Sequence, residues 1–257
     1  MAYPILNPRQ RVEDRKSICA LAVMAKAPRA GKVKTRLSPP LTLDQSAALN
    51  IGFLRDTARN ISEVSAQGNA AGLISYTPVG DEALFDGLLP EGLALVPQRG
   101  DGFGQRLLYA AEDILACGYG AVCLIDSDSP TLPAAALQQA VEALAAPGDR
   151  VVLGKSEDGG YYLIGLKAAH AAPFERITWS TKSVFQETVE RVQSAGLELV
   201  ELPTWYDVDD EATLKTLYDE LIRGVAPSFA TLQGYDARST RELLKTLKFH
   251  EAQAGNE

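Results

Sequence analysis

Histidine is nearly absent from this chain, with His170 and His250 the only two, which argues against a histidine-rich zinc centre. Cysteine is scarce as well. Cys19, Cys117 and Cys123 form no CxxC pair, and Cys19 and Cys123 lie in apolar runs that read as buried strands. They are expected to be small buried hydrophobes in a reducing cytosol rather than disulfide or metal partners. No apolar run reaches membrane-spanning length. Met1 to Lys16 is polar and carries Arg9, Arg11, Glu13, Asp14 and Arg15, unlike a secretory signal. A soluble cytoplasmic protein is expected. The P-loop pattern GxxxxGK[ST] is also missing. Positive charge is in deficit, with 25 Lys and Arg against 33 Asp and Glu and a formal net charge of -8. That balance argues against a broad nucleic-acid or membrane-binding face, but not against one local anion site.

Apolar residues are plentiful, at 46% of 257, enough for the core of one large α/β domain. Unalternated apolar runs at 18–24, 71–76, 93–97, 121–125, 151–153, 161–166 and 197–202 read as strands. Between them lie helical patterns. One is capped by Thr42 or Asp44 and runs to about Val64. Others cover 81–88, 104–117, 133–144, 180–195 and 210–222, with a last helical stretch near 240–249. Strand–helix alternation predicts a mostly parallel central sheet with helices on both faces. In such sheets ligands bind at the carboxyl ends of the strands.

The loops at those ends carry the chemistry. The first, after strand 18–24, places Lys26, Arg29, Lys32, Lys34 and Arg36 within eleven residues, with Pro28 and Gly31 breaking regular structure. Clustered cations and a glycine that lets backbone N–H groups approach suit phosphate oxygens, although a solvated basic turn would look similar. The second is Gly100-Asp-Gly-Phe-Gly-Gln-Arg106. It opens a helix at Gly104 with free N–H groups, an anion-friendly end, and Arg106 falls in its first turn. The third, Asp126-Ser-Asp-Ser-Pro130, sets Asp126 and Asp128 on one side just beyond a buried strand. Oxygen-only ligands there suit Mg²⁺ or Mn²⁺, whereas strand termination with helix capping explains one acidic residue better than two. The fourth, Glu157-Asp-Gly-Gly-Tyr161, is either a hairpin turn or a place where Glu157 or Asp158 meets substrate hydroxyls or acts as a base. The fifth, Tyr206-Asp-Val-Asp-Asp-Glu211, holds more acids than capping needs. If it is extended, Asp207 and Asp209 share one side.

In this order the five motifs resemble the rSAM/selenodomain-associated transferase family, over about residues 17–222. That family belongs to the nucleotide-diphospho-sugar transferase superfamily. Its members are described as glycosyltransferases, some of them linked to arsenosugar biosynthesis. The resemblance implies a GT-A fold and Asp128 as a metal ligand of the DxD type, with Asp209 the second ligand by its position before the last helix. The chain departs from the family pattern at Asp126, where a small residue is usual, so Asp126 is an extra ligand or a feature of this branch. The Lys32-Val-Lys-Thr-Arg-Leu37 string also resembles the triphosphate loop of nucleotidyltransferases, including phospholactate guanylyltransferases.

The expected organisation is a polar tail over 1–16, a nucleotide-binding transferase domain over 17–222 and a C-terminal extension over 223–257. The extension covers the acceptor pocket or packs on a neighbouring subunit, and Tyr235 and Arg238 are its residues of interest. The expected partners are a nucleotide or nucleotide-sugar and a small-molecule acceptor, with a homo-oligomer possible. Mg²⁺ or Mn²⁺ would sit on Asp128 and Asp209, with Asp126 and Asp207 as further candidate ligands. Ala25, Lys26, Gly31, Lys32, Lys34, Arg36, Gly104 and Arg106 would hold nucleotide and phosphate. Ser127, Gly159 and Gly160 would contact substrate, and Asp128, Glu157 and Asp158 would carry catalysis. Glycosyl transfer is the favoured reaction. Nucleotidyl transfer with pyrophosphate release competes, and so does a non-catalytic nucleotide-binding protein.

Overall fold

The structure, a computed structural model, describes residues 3–247. Seven strands, β1 (Cys19–Lys26), β2 (Ala70–Thr77), β3 (Ala94–Pro97), β4 (Ala121–Ile125), β5 (Arg150–Ser156), β6 (Tyr161–Leu166) and β7 (Glu198–Trp205), form one sheet in the order β3-β2-β1-β4-β6-β5-β7. β6 runs antiparallel to β4 and β5, and the other pairings are parallel. This is the mostly parallel α/β architecture expected, with one reversed strand.

Among the described residues six helices cover the sheet: α1 (Leu43–Ser65), α2 (Phe103–Ala116), α3 (Ala134–Ala145), α4 (Val184–Ser194), α5 (Glu211–Arg223) and α6 (Arg238–Thr246). Side chains alternate across each strand, so β1 feeds two cores at once. Leu21, Val23 and Ala25 pack with Phe53 of α1, Leu137 of α3, Leu214 of α5 and Leu244 of α6. Ala20 and Ala22 pack with Leu107 and Ile114 of α2 and Val192 of α4. The result is three layers, helix–sheet–helix.

Local chemistry explains most boundaries. Thr42 caps α1, accepting from Gln45 N at 3.1 Å, while the Gln45 side chain accepts from Thr42 N at 2.8 Å. Asp210 caps α5 through Thr213 N at 2.9 Å. Several expectations change. Residues 81–88 hold only a single 3-10 turn, Glu82–Phe85. α4 begins at Val184 rather than 180, because Ser180 takes a left-handed φ of 65° and the chain loops until the helix starts. β7 continues to Trp205, beyond the expected end at 202. The last helix begins at Arg238 and ends at Thr246, and residues 248–249 of the expected stretch lie outside the described residues.

The N-terminal segment pairs beside β3: Leu6 N donates to Leu95 O and Leu95 N to Pro4 O, both at 2.8 Å. At the other end, α6 lies against α1 and α5. The buried Asp56 of α1 accepts from Ser239 N at 3.0 Å and Thr240 N at 2.7 Å, a carboxylate at a helix N-terminus. Tyr235 donates to Glu63 of α1 at 2.9 Å. The described part of the C-terminal segment is therefore held by its own chain. Among the described residues no helix is long and apolar enough to cross a membrane.

Candidate functional site

β1 and β4 are neighbours, yet the chain leaves β1 toward β2 on one side and returns through α2 to β4 on the other. This reversal opens a crevice at the carboxyl ends of the two strands. The β1 loop enters it. Val33 and Leu37 are buried and anchor the loop. Lys34 between them takes a left-handed conformation, φ 48° and ψ 36°, which costs a non-glycine residue about 1 kcal/mol or more. Its side chain is 5% exposed.

Lys34 Nζ lies 2.9 Å from Asp128 Oδ1 and 2.8 Å from Asp209 Oδ1, and donates to Val208 O at 2.7 Å. Burial alone would lower its pKa. The charges of Asp128 and Asp209 overrule burial and raise it. The two acidic loops are tied by the backbone: Val208 N donates to Asp128 O at 2.9 Å, and the Val208 side chain is buried in the core. Arg36 pairs with the second Asp209 oxygen, Oδ2. The resemblance thus named the two carboxylates that converge, and a lysine ammonium stands where they meet.

The flanking acids have other duties. Asp126 Oδ1 accepts from Asp128 N at 3.2 Å and Ser129 N at 3.1 Å, and Oδ2 accepts from Ser129 Oγ at 2.7 Å. It closes the turn after β4. Burial holds its pKa well above the usual carboxylate range, and the charges of Asp128 and Asp207 add to the rise. Asp207 Oδ1 accepts from Ser156 Oγ at 2.6 Å, and burial raises its pKa too. Among the described residues no group of three or more His, Cys, Asp or Glu is placed to hold a metal ion. Asp128 and Asp209 nevertheless present oxygens to one point, the donor chemistry of a hard cation completed by substrate phosphate and water. The pair fits Mg²⁺ or Mn²⁺, provided Lys34 shifts.

A polar cavity of about 290 Å³ lies around this cluster, lined by Lys26, Lys32, Arg36, Asn50, Ser127 and Asp128 among others. Ser127 Oγ donates to Asp128 Oδ1 at 3.1 Å. Of the five loop cations, three are engaged: Lys34 and Arg36 as described, and Arg29 with Asp81 on the surface, Nε to Oδ2 at 2.9 Å. Lys26 and Lys32 have no carboxylate partner among the described residues.

Arg36 and Asp209 also border a second cavity of about 580 Å³. Its apolar wall includes Met24, Phe103, Leu107, Tyr161 and Trp179, and its polar wall includes Asp126, Asp158, Gly160 and Lys182. Phe103 and Trp179 meet edge-on with centroids 5.1 Å apart, and Trp179 and Tyr161 at 6.4 Å. Gly104 makes this possible, since a Cβ there would stand 2.8 Å from Trp179 Nε1 and from Phe174 O. The β5–β6 turn is indeed a hairpin turn, and it also puts Asp158 on the cavity wall, where Oδ1 accepts from Gly160 N at 2.8 Å.

Other candidates stand apart. Gly104 and Arg106 line neither cavity, nor do Gly31, Glu157 and Gly159. Ala25 is buried within β1, opposite Tyr76 of β2. Trp179, Phe103, Lys182 and Asn50 were not foreseen. Thr178-Trp-Ser-Thr-Lys-Ser183 had carried a signal: a tryptophan among polar residues just ahead of a helical pattern.

The fold and this crevice define an α/β protein of the GT-A-like kind found in nucleotidyl- and sugar-transferases. Residues 60–181 match the family described as "Uncharacterized protein conserved in bacteria (DUF2064)". A crystal structure from Desulfovibrio desulfuricans G20, described as a "putative nucleotide-diphospho-sugar transferase", is 31% identical, with a TM-score of 0.72 over 90% of this chain and 97% of that one. The chain belongs to the same family as this Desulfovibrio protein. CMP:2-keto-3-deoxy-manno-octonic acid synthetase in complex with CTP shares the fold at 12% identity and a TM-score of 0.52, over 80% of this chain and 99% of that one. So does a nucleotidyl transferase from Methanothermobacter thermautotroptrophicus, at 14% identity and a TM-score of 0.50, over 81% and 99%. No curated protein matches the chain in a sequence comparison.

Proposed function

We propose that this protein is a divalent-cation-dependent transferase that uses a nucleotide-activated substrate, and that it moves a glycosyl group from a nucleotide-diphospho-sugar to a small-molecule acceptor. The observation that carries the reading is the pair of cavities meeting at Arg36 and Asp209, one cationic and one aromatic with a carboxylate. The first suits a diphosphate and the second suits the sugar and its acceptor. Kinship with the Desulfovibrio protein supports the nucleotide-sugar assignment. The narrower kinship to the rSAM/selenodomain-associated transferases belongs to the same proposal.

Lys26 and Lys32 are the two loop cations of the polar cavity without a carboxylate partner among the described residues, and they suit the phosphate oxygens of a nucleotide-sugar. In the proposed reaction an acceptor hydroxyl attacks the anomeric carbon, the bond from that carbon to the diphosphate oxygen breaks, and the nucleoside diphosphate leaves. Asp158 takes the hydroxyl proton: its Oδ2 has no hydrogen-bond partner among the described residues. Lys26 and Lys32 neutralise the departing phosphate oxygens. Asp128 and Asp209 would hold Mg²⁺ or Mn²⁺, which would supply Lewis-acid stabilisation of the leaving group.

One observation favours nucleotidyl transfer instead. The first loop brings Lys26, Lys32, Lys34 and Arg36 to the polar cavity, and a set of four cations suits a triphosphate. Incubation with Mg²⁺ and a panel of nucleoside triphosphates and nucleotide-sugars separates the readings. Nucleoside diphosphate release from a sugar nucleotide supports glycosyl transfer, and pyrophosphate release from a triphosphate replaces it with the alternative. Binding of both classes without turnover in any acceptor mixture means a nucleotide-binding protein.

A further inference from the structure

We infer that the acceptor is an anionic hydroxy compound with an apolar face, and that Lys182 selects it by its negative charge. This rests on the reading of the larger cavity as the acceptor side.

Three features of that cavity point the same way. The first is charge. Its two cations are Arg36 and Lys182. Arg36 pairs with Asp209 and lines the polar cavity as well, whereas Lys182 lines only the larger of the two and has no carboxylate within 4.0 Å among the described residues. Asp158 lines the same cavity, and no ion pair joins it to Lys182. Lys182 and Asp158 therefore line one space without pairing with each other; of the other carboxylates there, Asp126 is bonded within the turn after β4 and Asp209 is paired with Arg36.

The second feature is construction. Asp158 and Lys182 sit on separate segments, the β5–β6 turn and the loop before α4, which are locked together. Gly159 takes φ +95° and lies so close to that loop that a Cβ would be 2.2 Å from Lys182 O. Phe185 N donates to Gly159 O at 2.9 Å. Only glycine permits this approach, and it holds the two backbone segments against each other.

The third feature is apolar. Phe103 is 52% exposed, an unusual position for a phenylalanine, and it borders the cavity edge-on to Trp179. A ligand ring or hydrocarbon face would cover it. Together these walls ask for a hydroxyl toward Asp158, a carboxylate or phosphate toward Lys182 and an apolar face toward Trp179.

The test uses the full chain and the intrinsic fluorescence of Trp179. The other tryptophan, Trp205, is fully buried. Mandelate and 1-phenylethane-1,2-diol form a matched pair, each with a ring and a hydroxyl and differing in the carboxylate. The 2-phosphate monoester of that diol serves as the phosphate arm. Mandelate or the phosphate ester is expected to bind at least about tenfold more tightly than the diol, and Lys182→Met to erase that preference. Lys182→Arg is expected to keep it. Inorganic pyrophosphate, read by thermal shift, reports the Lys26–Lys32 side and is expected to be unchanged by Lys182→Met. The inference is overturned if neither anion binds the wild type more tightly than the diol, or if Lys182→Met retains the preference. If pyrophosphate fails to bind even the wild type, the phosphate reading fails separately.

Discussion

The two cavities share a border at Arg36 and Asp209 but are built in different ways. The smaller is lined mainly by charged residues from one contiguous loop, Lys26 to Arg36, with Asp128 and Asp209 reaching in from two others. The larger is assembled from segments far apart in the chain: Met24 on β1, Phe103 and Leu107 on α2, Tyr161 on β6, and Trp179 and Lys182 on the loop before α4. Charge that must meet phosphate is costly to bury and concentrates in loops, where it stands out in a sequence. Aromatic walls serve packing and recognition together, so they look like ordinary core until the fold places them.

The comparison breaks most sharply at its shared border. Asp128→Asn should lower metal-dependent turnover roughly 100-fold or more, measured as product release at saturating nucleotide. Unchanged activity would remove Asp128 from the site. Lys34→Met should cost about 3 kcal/mol of stability, because it leaves Asp128 and Asp209 facing each other without their shared counter-charge. Urea denaturation measures this. Mg²⁺ should restore part of the loss if the carboxylates hold it, and failure to do so would count against the metal assignment.

Two variants sharpen the contrast between the cavities. Lys32→Ala should weaken pyrophosphate or nucleotide binding about tenfold, with little change in unfolding midpoint, since no protein carboxylate depends on it. Gly159→Ala should do the reverse. Its strained φ and the contact with Lys182 O predict a stability loss of about 1–3 kcal/mol. Acceptor-side binding should be disturbed, and calorimetric pyrophosphate affinity should stay the same. The smallest effect is expected at Arg29, whose side chain is 57% exposed and paired with Asp81 on the surface. Arg29→Ala should change stability by under about 0.5 kcal/mol and leave pyrophosphate affinity unaltered. A large loss of affinity there would mean that the loop acts as an undivided cationic patch.

By itself the sequence determined the layered α/β plan, because unalternated apolar runs and helical periodicity report burial directly. It also marked the acidic and basic loops, because charge at the carboxyl end of a buried strand has few structural explanations. It did not reveal which charges are already spent. Lys34 and Lys32 are alike in a string of letters. Only the left-handed turn at Lys34 and the Val208–Asp128 backbone bond bury the one between two carboxylates and leave the other free. Asp126 and Asp128 likewise both stand as candidate ligands, Asp126 as an extra one, until the turn after β4 takes up both oxygens of Asp126. The Trp179 wall depended on a helix starting later than its periodicity suggests, and on Gly104 clearing room for the ring. Tertiary structure decided these points because each depends on contacts between residues distant in the chain, where burial and pairing set whether a group is free to meet a ligand.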